Sequence, residues 1–108
     1  MKSIEKYRKK DGTEPFSEWL KLLPEEVQWR IFAYIRRVAQ GGAKKSLKTI
    51  QGCNGVKEIC IPFGPGYRIY FAQTENRIVL LLVGGLKRTQ KKDIEKAKVY
   101  WRNYNEKT

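Results

Sequence analysis

The chain contains no histidine, which removes both the commonest zinc ligand and the commonest general base near neutral pH. Cysteine is almost as scarce. Cys53 and Cys60 are the only two, too few for the disulfide framework of a small secreted domain and too few ligands for a structural metal. No metal and no cofactor is therefore expected, and acid–base chemistry falls to Lys, Tyr, Glu, Asp or Cys. No apolar run approaches the ~20 residues needed to cross a bilayer. No basic n-region followed by an apolar h-region opens the chain. A cytoplasmic protein with no membrane partner is the expectation. Internal repeats and low-complexity segments are missing too. Between Val27 and Lys57 there is not one acidic residue.

Positive charge fills that gap. With 23 Lys+Arg against 11 Asp+Glu, the formal net charge is +12 over 108 residues. This length makes residues 1–108 a single domain with a modest core. Such a field favours polyanions, nucleic acid first and an acidic protein surface next. Arg30, Arg36, Arg37, Lys44, Lys45, Lys48 and Lys57 all fall in the acid-free stretch. They read as an electropositive flank suited to a phosphate backbone or an acidic partner segment.

The segment Gly64-Pro65-Gly66-Tyr67-Arg68-Ile69-Tyr70-Phe71 organises the rest. Pro65 presets φ at the second position of a tight turn, and Gly66 accepts the positive φ of the third. The aromatic and β-branched run that follows has the composition of a strand. Alternation sends Tyr67, Ile69 and Phe71 to one face, which reads as core, and Arg68 and Tyr70 to the other. A guanidinium beside a phenol on an open sheet surface is a candidate phosphate site.

Around this strand the periodicities give the order β-α-α-β-β-β-α. Ser3 to Arg8 reads as a short, charged edge strand. Pro15 opens a helix whose stripe is Phe16, Trp19, Leu20 and Leu23. Pro24-Glu25-Glu26 opens a second one, with Val27, Ile31, Tyr34, Ile35 and Val38 as its buried face and Gly41-Gly42 as its stop. The Trp and Phe residues of this helical hairpin can serve as base-stacking platforms, but apolar spacing favours core packing. Val56–Ile61, Tyr67–Thr74 and Ile78–Val83 read as strands, the last apolar on both faces and so central. A final helix runs from about Thr89, its cap, to Tyr104, with Ile94, Ala97, Trp101 and Tyr104 on one face. The expected class is α+β, with a three- or four-stranded, mainly antiparallel sheet and the helices packed on one of its faces.

Three stretches together, Gly55-Val56-Lys57-Glu58-Ile59, Gly64 to Phe71, and Leu80 to Gln90 with its Gly84-Gly85-Leu86-Lys87-Arg88-Thr89-Gln90, resemble the phage-derived addiction-module killer proteins of the RelE/ParE toxin superfamily. The Phe16-x-x-Trp19-Leu20 element and the Asp93-Ile94 to Ala97 segment fit as well. The resemblance implies a RelE-like fold and the toxin of a type II toxin–antitoxin pair, held silent by a small antitoxin of helix-turn-helix type that presents an acidic or amphipathic segment. RelE-like members cleave mRNA on the ribosome, and ParE-like members poison DNA gyrase. The leading expectation is a ribosome-dependent endoribonuclease, an mRNA interferase that inhibits translation. Its chemistry would be metal-independent transesterification by the RNA 2′-hydroxyl. A gyrase-directed or non-catalytic toxin is the alternative, or a decayed basic module that binds only antitoxin and, through that complex, operator DNA.

The catalytic candidates under this resemblance are Arg68, Lys87, Glu58 and Tyr70. Arg68 holds the scissile phosphate bidentately. Lys87 stands where the family keeps a basic residue, and neighbouring cations lower a lysine pKa toward neutrality. Tyr70 stacks on a base or hydrogen-bonds. Where RelE-type ribonucleases place basic residues on the second sheet strand, this chain has Glu58 and Cys60. Glu58 is then either the base that no histidine provides or the cross-strand ion-pair partner of Arg68. Lys57, Lys48, Arg88, Gln90 and Lys45 are the candidates for nucleic-acid contact. Thr89 and Gln90 match the family's Thr-Gln pair, first as caps of the last helix and second as site residues.

Overall fold

A computed structural model describes residues 2–42, 44–50, 52, 55–64, 66–84 and 87–106, and gives the backbone alone at 46, 82–84 and 87. The elements in order are β1 (Ser3–Lys6), α1 (Pro15–Leu20), α2 (Glu25–Ala39), β2 (Leu47–Thr49), β3 (Val56–Ile61), β4 (Tyr67–Gln73), β5 (Arg77–Gly84) and α3 (Gln90–Glu106). Single 3-10 turns at Lys44–Ser46 and Lys87–Thr89 lead into β2 and α3. The class is α+β, as the element pattern predicts.

Five strands form one sheet in the order β1-β5-β4-β3-β2. β1 runs parallel to β5, with Ser3 beside Arg77 and Lys6 beside Leu80, and the other neighbours are antiparallel. β5 is central and buried on both sides, because Ile78 and Leu80 face one cluster while Val79 and Leu81 face another. The sheet exceeds the expected three or four strands through β2. That strand has three residues in a lysine-rich stretch, too short for an alternation to register.

The helices cover both faces of the sheet, not one. On the first face, Phe16 and Leu20 of α1 and Val27, Ile31, Ile35 and Val38 of α2 pack on Ile59, Ile61, Ile69, Phe71, Ile78 and Leu80. On the second, Ala97, Ile94, Tyr100, Trp101 and Tyr104 of α3 close over Val56, Tyr70, Ala72, Val79 and Leu81. Full burial of each such aliphatic or aromatic side chain contributes about 1.5–3 kcal/mol. This packing holds a six-residue α1 that would not persist alone.

Local chemistry sets the helix ends. Pro15 occupies the first turn of α1, and Pro24 caps α2 ahead of Glu25 and Glu26, which suit the positive end of its dipole. At the other end of α2, the Gly41 N–H donates to the Val38 carbonyl at 2.9 Å and the Gly42 N–H to the Arg37 carbonyl at 2.7 Å. This paired closure needs a left-handed residue, and Gly41 supplies it at φ 89°. Gly41→Ala is expected to cost about 1 kcal/mol, read as a lower urea midpoint at unchanged slope.

The β3–β4 turn closes one residue earlier than expected. Gly66 N–H donates to the Phe63 carbonyl at 3.1 Å, so Gly64, at φ 59°, holds the second position. Gly66 has the expected positive φ, 85°. Pro65 lies outside the described residues, as do Cys53, Gly85 and Leu86. Among the described residues no helix is long and apolar enough to cross a membrane.

Candidate functional site

Register brings the site together. β3 and β4 pair with Glu58 opposite Tyr70 and Cys60 opposite Arg68, and β2 adds Lys48 opposite Glu58. Paired residues share a face, so Lys48, Glu58 and Tyr70 form one cross-strand row and Cys60 and Arg68 the next. Gly84 of β5 completes the second row beside Arg68. The Lys87–Thr89 turn and the start of α3 therefore begin just past the strand position that flanks Arg68.

Glu58 lies at the centre. It is 3% exposed, and a carboxylate so far from water has to be compensated. Two groups do so on one oxygen. Gln90 Nε2 donates to Glu58 Oε1 at 2.8 Å, and Arg68 Nε stands 3.5 Å from the same atom. Gln90 reaches Glu58 because it is the first residue of α3 and faces down onto β3. Thr89 and Asp93 fix that first turn: the Thr89 hydroxyl donates to Asp93 Oδ2 at 3.1 Å, and Asp93 is itself buried. An acidic residue there also meets the positive end of the helix dipole.

The cross-strand ion pair expected between Glu58 and Arg68 is present, and Glu58 is buried beneath it. Arg68, with 17% of its side chain exposed, is gripped through Nε. Among the described residues its two terminal amino groups make no hydrogen bond or ion pair, which leaves a planar donor fork of the kind that carboxylates and phosphates accept. Removing Gln90 strips a hydrogen bond from a buried charge. Gln90→Ala is expected to destabilise the fold by about 1.5–3 kcal/mol, measured by thermal unfolding.

Tyr70 departs from the sequence expectation. Its ring is 0% exposed because α3 lies over this face, so it offers no platform for a base. Burial, and after it the Glu58 carboxylate, push the phenol well above its ordinary value. Among the described residues its hydroxyl has no hydrogen-bond partner. Tyr70 is a neutral wall of the site.

A model of the family described as "Phage derived protein Gp49-like" matches residues 18–102. An uncharacterized protein of Haemophilus influenzae is 39% identical over 88 residues, covering 81% of this chain and 86% of that one. This chain belongs to the Gp49-like family. The family is phage-derived and toxin-like, of the RelE/HigB type, and the matched span contains Glu58, Arg68, Lys87 and Gln90.

The remaining candidates of this Gp49-like chain divide by face. Lys48 is exposed on the Glu58 side of the sheet, and Arg88 is exposed in the turn before α3. Lys45 is exposed in the turn before β2. Lys57 pairs with Phe71 and Thr49, which puts it on the α2 face and away from Arg68. The side chain of Lys87 lies outside the described residues. Cys60 carries a free thiol in the row of Arg68. Gln90, expected first as a cap of the last helix and second as a site residue, donates to Glu58 from the first position of α3.

Proposed function

We propose that this Gp49-like protein is the toxin of a type II toxin–antitoxin pair and cleaves mRNA on the ribosome, silenced by a small antitoxin. The observation that carries this reading is Arg68: an arginine fixed through Nε by a buried carboxylate, with its amino fork left for a phosphate. In the reaction the RNA 2′-oxygen attacks the adjacent phosphorus as its proton passes to a solvent water. The P–O5′ bond breaks, and the departing oxygen takes up a proton. The products are a 2′,3′-cyclic phosphate and a 5′-hydroxyl. Arg68 neutralises the charge that builds on the phosphorane, Glu58 and Gln90 hold Arg68 in place, and Lys87 supplies the proton to O5′. Lys48 and Arg88 guide the flanking backbone.

Glu58 is too deeply buried to take the 2′-hydroxyl proton, so rate enhancement rests on charge and alignment. Alignment by a large scaffold can supply much of a barrier reduction, which is where the ribosome enters.

The test is induced expression with and without the candidate antitoxin, followed by mapping of RNA ends. Growth arrest with new 5′-hydroxyl ends inside translated messages is the expected result, relieved by the antitoxin. Arrest with intact messages and a DNA-damage response would move the target to gyrase. Absence of arrest alongside tight antitoxin binding would leave a binding module.

A further inference from the structure

Helix α2 carries a second apolar stripe that the core does not use. Trp29, Phe32, Ala33 and Arg36 follow helical spacing, on a different side from the buried Val27, Ile31, Ile35 and Val38. Apolar periodicity favours core for Trp29 and Phe32, yet they are 68% and 40% exposed. Beside them Ile4, on the outermost strand of the sheet, is 43% exposed. Together with Lys6 these residues border a groove of about 420 Å³ between α2 and β1. It opens on the α2 face at the β1 edge, across the sheet from Arg68 and Glu58.

An exposed apolar patch rimmed by charge marks a docking surface, and a tryptophan at its centre is the residue type that most often dominates binding. We infer that this groove receives one amphipathic helix of a partner protein, with apolar anchors at i, i+3, i+4 and i+7 and acidic residues on its flanks. The stripe on α2 is itself a two-turn ridge, the shape onto which a second helix packs. Both charged residues of the groove, Lys6 and Arg36, are cations, and the whole chain stands at +12. A second copy of this chain would bring the same charge and be repelled. A nucleic acid needs cations spaced along a phosphate path, whereas here the floor is aliphatic. The inference rests on the toxin reading only in giving that toxin's partner a place to bind. Its test reads binding alone, so failure of one leaves the other standing.

The test is selection of random peptides of roughly 15–20 residues, long enough to hold a helix once docked, by display against the intact protein. Convergence on acidic amphipathic sequences that gain helical circular dichroism on binding is expected. Their affinity should fall by about tenfold or more in Trp29→Ala and in Phe32→Ala. It should also fall in Arg36→Glu, more so at low salt than at high salt. All three positions lie on the surface, so the variants should keep the parent melting temperature. Four outcomes would overturn the inference: no enrichment; selected peptides indifferent to Trp29 and Phe32; self-association lost in Trp29→Ala; or a single-stranded RNA oligonucleotide that displaces the peptides and itself requires Phe32.

Discussion

Arg68→Ala is expected to abolish RNA cleavage and growth arrest, a loss of about 100- to 1,000-fold in rate, the scale set by removing one group that meets charge developing in a transition state. That variant also strands Glu58, a buried carboxylate left with Gln90 alone, and breaking a buried pair costs about 3–5 kcal/mol. A fall in activity could then be a fall in folded protein. Arg68→Lys separates the two effects: it leaves a cation near Glu58 but loses the fork that grips a phosphate on two oxygens. Near-parental melting with activity down by about tenfold or more is the expected outcome. A fully active Arg68→Lys with unchanged cleavage sites would remove the bidentate contact from the mechanism, and a folded, toxic Arg68→Ala would remove Arg68 altogether.

Tyr70 carries the second large effect, and here the two informative changes diverge. Tyr70→Ala empties a fully buried site between the sheet and α3 and should cost about 3–5 kcal/mol, lowering Tm by roughly 15–30 °C for a domain of this size. Tyr70→Phe removes only a hydroxyl without a hydrogen-bond partner among the described residues, so stability should change by less than about 1 kcal/mol. Activity should survive as well; its loss in a stable Tyr70→Phe would return the phenol to the chemistry. The alkaline limb offers a further check. Because the folded phenol pKa is raised from 10.0, the folded state resists ionisation of Tyr70. The stability this contributes is intact below pH 10 and declines as pH rises past that value. Tyr70→Phe should therefore unfold less steeply in strong base than the parent.

The pairing of Arg68 with Glu58 was legible in the sequence, since alternation on two antiparallel strands puts both side chains on one face. The burial of Tyr70 on that same face was not. Period two says which side a residue takes but not whether something lies over that side, and the apolar face of α3, visible in its spacing, does not say which face of the sheet it covers. Trp29 and Phe32 failed for a related reason. Helical spacing identifies an apolar face without giving its width, and α2 has more apolar surface than one side of the sheet can cover. The contact from Gln90 to Glu58 spans 32 positions and depends on where a helix lands after the central strand, which no local pattern encodes.

The parallel pairing of β1 with β5 has a consequence for how the molecule comes into being. Ser3–Lys6 are synthesised well before their partners, Arg77–Leu80. The sheet cannot close until those partners have been made. Contacts of such sequence separation slow folding, since the loop between them must be ordered before they form. Until β1 docks, β5 presents an open, strongly apolar edge of the kind that recruits other chains. A newly made molecule thus passes through an interval of vulnerability that a prompt partner, or a chaperone, would shorten, and deletion of residues 2–6 should convert that interval into a lasting tendency to aggregate.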